Sequence, residues 1–474
     1  MTAKQIHLNL FEMNCVSHIT HGMWTHPQNT RERFNDIEFW TKLAQLLEYA
    51  TFDAMFIADV IGAYDVFRGG PETSLIEGMQ IPSNDPLLVI PAMAAVTKHL
   101  GFAATFSTTY EPPFAFARRM STLDHLTKGR VGWNIVTSYL PNAARNFGYD
   151  DEVDHDHRYE IADEYLAVLY KLWEGSWDDD AVLADKERRL YADPAKVRYI
   201  NHDGDYYRVA GPHLCEPSPQ RTPLLYQAGV SDAGRAFAGK HAEAIFMGGS
   251  SFAQVRSYVA DVRQTARAHG RDPSDIKFLP GANIIVGRSD EEVATKVAEY
   301  RRLRSIDGYL AHSSSPVDWT TYNRSEHVDA IVAGLGKEAA QFRRYLIPGL
   351  TVGDLLDDLG GLGRPFSVAG TPKVVVDEME RWVDEADVDG FNVVQYLTPG
   401  TALDVAELII PELRRRGLFR TSYADGETLR GRMNGAGRPR LADSHPGARF
   451  RDPSTLSGVR SEDRELAAPA GALG

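Results

Sequence analysis

Eight short apolar runs, each followed by a longer stretch of helical period, recur along this chain of 474 residues. Strands buried on both faces read as continuous apolar runs, and parallel strands need a crossover helix between them. The runs cover residues 6–11, 54–58, 101–106, 131–136, 224–227, 243–247, 278–286 and 391–395. Helices are predicted over 37–49, 86–100, 113–126, 158–174, 233–240, 252–268, 290–304, 371–386 and 405–416. In the first of these, Phe39, Trp40, Leu43, Leu46 and Leu47 share one face. Eight such units predict an α/β fold class, a single (β/α)8 barrel spanning residues 1–425.

Two stretches break the rhythm. Residues 178–211 are charged and aromatic, and the turn signal Asp203-Gly204 predicts an antiparallel hairpin between 199–201 and 206–209. Residues 305–366 form a long insertion rich in Gly, Ser and Tyr, the candidate lid. Residues 426–474 are poor in apolar side chains and are set apart as a tail, packed over the surface or a partner subunit, or without order.

The formal charge of −14, from 51 basic and 65 acidic residues, disfavours nucleic acid and anionic membranes as partners. No run is long and apolar enough to span a membrane, and the start of the chain lacks a secretory pattern. Cys15 and Cys215 lie far apart and suit a reducing compartment. A cytoplasmic enzyme is the expectation.

In such a barrel the chemistry sits at the carboxyl ends of the strands. Strand one leads to Glu12, Asn14, Cys15, His18 and His21, and strand two to Asp59 and Tyr64. Strand three gives Thr105, Ser107, Thr108 and Tyr110, and strand four gives Asn134, Thr137, Ser138 and Tyr139. Strand five runs into Ala228-Gly229-Val230-Ser231-Asp232 at a helix start, and strand eight ends at Gln395 and Tyr396. Hydroxyls, amides and rings without paired carboxylates point to a flat polar ligand rather than two-carboxylate hydrolysis. No dinucleotide or P-loop glycine motif is present. Gly229 and Ser231 can bind a phosphate through backbone N–H groups, although the same residues make an ordinary N-cap. His18, His21 and His26 lack metal-ligand spacing, so no metal is assigned. Asp154 to His157 read as the capped start of a helix. Cys15 with His18 leaves open a thiol hydrolase or transferase.

Several runs then carry a resemblance. They are Asn9 to Cys15, Phe106 to Tyr110, Ala117 to Asp124, Gly129 to Ser138, Ala192 to Val197 and Ser218 to Pro223. They resemble the bacterial-luciferase-like flavin monooxygenases, in the group that oxygenates nitrilotriacetate, dibenzothiophene sulfone and long-chain alkanes. Met13-Asn14-Cys15 and the run Gly211 to Glu216 are most similar to the long-chain alkane monooxygenases. The resemblance implies a luciferase-type barrel and a two-component enzyme. Reduced FMN would come from a separate NAD(P)H-dependent flavin reductase, and one atom of O2 would enter a small organic substrate, first a long-chain alkane. An aryl sulfone or an aminopolycarboxylate is the alternative substrate, and a homodimer or homotetramer is implied.

Residue by residue, the resemblance assigns Asp59, Thr105, Asn134 and Thr137 to the flavin ring and ribityl chain. Tyr159, Ala228, Gly229 and Ser231 fall to its phosphate end. Cys15, His18, Tyr64, Gln80 and His312 fall to the reacting pocket. Tyr139 stands where the alkane enzymes carry histidine, and a phenol cannot take up the proton that a histidine can. His18, Tyr64 and Tyr139 are the expected donors to activated oxygen, with Phe11, Phe56, Phe246 and Val368 as the apolar wall.

Overall fold

The computed structural model describes residues 4–248, 251–335, 349–359, 361, 366–435 and 437–456. Nine parallel strands run through it: β1 (His7–Met13), β2 (Ala54–Ala58), β3 (Gly101–Ser107), β4 (Val131–Val136), β5 (Leu224–Gln227), β6 (Ala244–Met247), β7 (Lys277–Val286), β8 (Phe366–Gly370) and β9 (Gly390–Val394). Their order is β6-β5-β4-β3-β2-β1-β9-β7-β8, and β6 also pairs with β7. That last pairing, Ala244↔Lys277 to Met247↔Pro280, closes an eight-stranded barrel. β7 is ten residues long and serves three neighbours in turn. It meets β6 first, then β9 at Gly281 to Asn283, and finally β8 from Ala282 to Val286.

β8 is therefore a ninth strand outside the ring, which the sequence reading did not foresee. Val368 lies on it and packs against the sheet–helix core, so it leaves the expected apolar wall. Phe11, Phe56 and Phe246 do meet inside the barrel, with ring centroids 4.6–5.6 Å apart.

The helices that position the site are α1 (Ile37–Tyr49), α2 (Pro113–Thr127), α3 (His155–Tyr170), α4 (Asp232–His241), α5 (Phe252–Ala268), α6 (Asp290–Leu303), α7 (Ile306–His312), α8 (Pro372–Ala386) and α9 (Leu429–Asn434). On α1, Phe39, Trp40, Leu43, Ala44 and Leu47 are buried at helical spacing, and Asp36 caps the helix by accepting from the Glu38 amide. Each large apolar side chain buried this way stabilises the fold by ~2 kcal/mol. Asp154 likewise accepts from the amides of Asp156 and His157 and caps α3.

Three local readings change. The helix predicted over 86–100 is a single turn, Pro86–Leu88, followed by Ile90–Ala95. The predicted hairpin pairs His202–Asp203 with Arg208–Val209, and a second one joins Val182–Asp185 to Leu190–Ala192. The insertion 305–366 is not structureless, since it holds α7 and the helices Val328–Ala333 and Val352–Leu359; residues 336–348, 360 and 362–365 lie outside the described residues.

The segment beyond 425 also departs from the expected tail. Leu429 and Met433 of α9 join the barrel-interior cluster of Phe56, Ala103, Leu224 and Leu279. Gly101 at the start of β3 leaves room for them, because a Cβ there would sit 2.6 Å from Leu429. Arg430, 1% exposed, donates to both Glu243 oxygens at 2.7 and 2.9 Å and to the carbonyls of Thr222, Pro223 and Pro439. Residues 457–474 lie outside the described residues. Arg430→Met should strand the Glu243 carboxylate in the amino-terminal end of the barrel and cost about 3–5 kcal/mol in denaturant unfolding.

Candidate active site

The carboxyl ends of β2, β3 and β4 open into a cleft of about 420 Å³. Asp59 enters from the end of β2, Thr105 and Ser107 from β3, and Val136 and Ser138 from β4. Gln80, Ser83 and Asp85 line it from the loop after β2, and Asn142 and Phe147 form the far side. β3 and β4 are in register at Thr105↔Asn134, and the Asn134 amide donates to Thr105 Oγ1 at 2.9 Å. Asn134 Oδ1 is buried with no partner among the described residues, so it remains an acceptor for a bound group. Burial, helped by the charge of Asp85, raises the Asp59 carboxyl to about 7.

Beside the cleft, the loop leaving β1 gathers the other candidates. Gln80 Nε2 donates to the His18 carbonyl at 3.0 Å and lies 3.2 Å from His312 Nε2. His312 Nδ1 lies 3.0 Å from His21 Nε2, and His21 Nδ1 lies 3.3 Å from Ser17 Oγ. The Tyr64 ring stands edge-on to His312 with centroids 5.2 Å apart, and its hydroxyl is hydrogen-bonded to that of Tyr139. The His18 ring packs 4.3 Å from Phe11. Burial holds His18 and His21 well below the usual histidine range and brings His312 to about 4, so all three are neutral at neutral pH.

Cys15 is buried, its thiol donates to the Ser17 carbonyl at 3.4 Å, and burial pushes it up to about 12 despite the nearby Arg31 charge. A nucleophilic thiol must ionise readily, and the burial of Cys15 opposes that, which does not favour a hydrolase or transferase built on Cys15 and His18.

A second cradle lies at the end of β5, two strands from Thr105. Ser231 caps α4 by accepting from the Gly234 amide at 3.1 Å. A Cβ on Gly229 would lie 2.4 Å from Gln227 Nε2 and 2.6 Å from the Tyr159 hydroxyl, so the turn and Tyr159 approach closely only because residue 229 is glycine. Ala228 opens this turn, and its neighbour strand β4 continues into Thr137, whose carbonyl accepts from Thr109 Oγ1 at 2.8 Å. Arg158, beside Tyr159, is buried with Nε unpartnered among the described residues, although its Nη1 meets Glu152 at 2.8 Å. The sequence reading named neither Arg158 nor a role for His21. A lone arginine in the first turn of α3, next to an assigned tyrosine, was the available signal.

The model of the luciferase-like monooxygenase family matches residues 12–389. A long-chain alkane monooxygenase of Geobacillus thermodenitrificans (strain NG80-2) is 50% identical over 456 residues, covering 95% of this chain and 99% of that protein. A dimethyl-sulfide monooxygenase of Hyphomicrobium sulfonivorans is 46% identical over 455 residues, covering 95% and 94%. Among solved structures, a riboflavin lyase with modified FMN and riboflavin is similar at a TM-score of 0.86 and 38% identity, covering 94% of this chain and 100% of that one.

Two expectations follow from the geometry. Iodoacetamide at mildly alkaline pH should alkylate Cys15 only after unfolding, as read by peptide mass spectrometry. Asp59 binds its proton more tightly folded than unfolded, so its ionisation destabilises the fold as pH rises from about 4 through 7. Asp59→Asn should therefore stabilise the fold at pH ~8 by at most on the order of 4 kcal/mol, read as a higher Tm, with the gain vanishing near pH ~4.

Proposed function

Because the chain belongs to the luciferase-like monooxygenases, we propose that it is a two-component monooxygenase using reduced FMN and O2. The observation that carries this reading is the pairing of two cradles across β3–β5. One is an amide-and-hydroxyl cleft and the other a glycine turn at a helix N-terminus. The orphan acceptor of Asn134 and the glycine turn at Gly229, which opens α4 beside the Tyr159 hydroxyl, fit a flavin ring and a phosphate respectively. Thr105, Asn134, Thr137 and Asp59 would hold the ring and ribityl chain; Tyr159, Ala228, Gly229, Ser231 and Arg158 would hold the phosphate end.

Reduced FMN, when bound, supplies the electrons that activate O2. The chain's part is to bind, orient and keep the site dry. His18, His21 and His312 stay neutral, so they serve as hydrogen-bond partners and not as cations. Tyr64 and Tyr139 share a hydroxyl hydrogen bond at the edge of the site and can present one phenolic proton inward. α7 brings His312 against Gln80, which lines the cleft. The insertion that carries it has an apolar core of its own, with Leu310, Val317, Trp319 and Leu356 packed on Tyr64 and Phe67. That insertion is the lid in this reading.

The substrate is neutral and apolar, a long-chain alkane first. The cleft lining holds Asp59, Asp85 and Glu111 and, among the described residues, no lysine or arginine. A polyanionic aminopolycarboxylate would meet like charge there. The likeness to the alkane monooxygenase supports the same choice. Tyr139 in place of histidine removes a titratable group from the pocket edge and leaves a neutral donor.

Supplying FMN, a flavin reductase, NADH and air, with n-alkane, dialkyl sulfide, aryl sulfone and aminopolycarboxylate in parallel, should give an oxygenated alkane that requires reduced FMN. Absence of any affinity for reduced FMN would end this reading.

A further inference from the structure

The hydrogen bonds around His312 fix the direction of every proton in them. The Gln80 side-chain atom that faces the His18 carbonyl must be the nitrogen, because a carbonyl only accepts. The same nitrogen faces His312 Nε2, so that ring nitrogen is the acceptor. A neutral His312 then carries its proton on Nδ1 and donates to His21 Nε2. Neutral His21 carries its own proton on Nδ1 and donates to Ser17 Oγ. Reversing any one bond sets two donors or two acceptors face to face.

The ends of this chain are anchored by backbone. Gln80 sits at φ 53°, a left-handed conformation costly for a side chain of its size, and its amide donates to the Ser17 carbonyl at 2.9 Å. The His21 carbonyl accepts from the Ser305 amide at 3.0 Å at the start of α7. A Cβ on Gly308 would fall 2.7 Å from the His21 Cβ, so α7 rests directly on this residue. Gln80 lines the cleft, and its Oε1 is buried with no partner among the described residues.

We propose that His21 is a positioning residue. As the acceptor for His312 Nδ1–H, it locks His312 into one tautomer, and that lock holds the Gln80 amide so that its oxygen is kept for an N–H or O–H donor bound in the cleft. His21 itself touches no reacting atom. The proposal rests on the flavin-monooxygenase reading for its catalytic consequence, but its tautomers are a property of the protein alone.

Heteronuclear NMR of ring-nitrogen-labelled histidine tests it, in parallel with product formed per reduced flavin consumed. Wild-type protein should carry N–H on Nδ1 of both His21 and His312. His21→Gln offers an amide oxygen to His312 Nδ1 and should keep both the tautomer and the product yield. His21→Phe should move His312 toward the Nε2–H form and lower the yield at least about fivefold, the factor one ordinary hydrogen bond is worth. A wild-type His312 protonated on Nε2 overturns the proposal. So does a folded His21→Phe protein that keeps both tautomer and yield. If His21→Phe does not fold, the wild-type and His21→Gln spectra decide. Loss of all flavin-dependent turnover in wild-type protein would instead sink the functional reading, with the tautomer result standing by itself.

Discussion

A buried ion pair between Arg31 and Glu12 holds the carboxyl end of this barrel in shape. Glu12 is fully buried at the end of β1, and Arg31 Nη1 meets it at 2.7 Å. The remaining guanidinium donors turn outward from that pair to the carbonyls of Met13 and Val16, at 3.2 and 3.0 Å, and to Thr398 Oγ1. Gln395, leaving β9, also bonds Glu12. One cation thus clamps the loop leaving β1 against the loop leaving β9. Cys15, Ser17, His18 and His21 all hang from the clamped loop. A pair this deep is a weak source of net stability, because both ions lose their hydration. Its value lies in fixing the path of an irregular loop whose carbonyls would otherwise lie buried without donors.

The two ends of the barrel divide the labour. At the amino-terminal end, α9 and Arg430 close the interior with apolar side chains and a fully paired carboxylate. His7, Arg420 and the Leu8 amide surround the Asp53 carboxylate there; burial alone would raise its pKa, but those partners hold it below the usual range. At the carboxyl end, buried acceptors on Asn134 and Gln80 lack protein partners among the described residues. The charged groups Glu243 and Asp53 are paired below, while the acceptors that stand unpartnered at Asn134 and Gln80 lie toward the end where a barrel binds its ligands.

The fold was legible in the sequence because the information that sets it is periodic. Eight runs buried on both faces, spaced by amphipathic helices, admit few arrangements other than a closed parallel barrel. What escaped was aperiodic. β8 reads Phe-Ser-Val-Ala-Gly, with only Phe and Val as large apolar side chains, and it pairs with the far end of the long β7. α9 reads Leu-Arg-Gly-Arg-Met-Asn, which looks like a solvated tail until Glu243 and the barrel carbonyls supply partners for its arginines. At the site, the strand-end rule pointed to the polar residues around the cleft, and the resemblance assigned roles to them. His21 stood in the same group, but its neighbour His312 lies 291 positions away, and no local pattern could join them.

The electrostatics of the site follow from the burial of its side chains. Burial lowers His18, His21 and His312, raises Asp59, and raises the Tyr64 phenol well above its ordinary value. Each shift favours the uncharged form, so near neutral pH the histidines and phenols offer directed hydrogen bonds without a mobile charge. Burial works against a histidinium here and against a thiolate at Cys15. What the site can do is hold a polar group by neutral donors and acceptors whose directions are set in advance. Direction then matters more than acidity, and in the His21–His312–Gln80 chain a single misplaced proton would set two donors face to face.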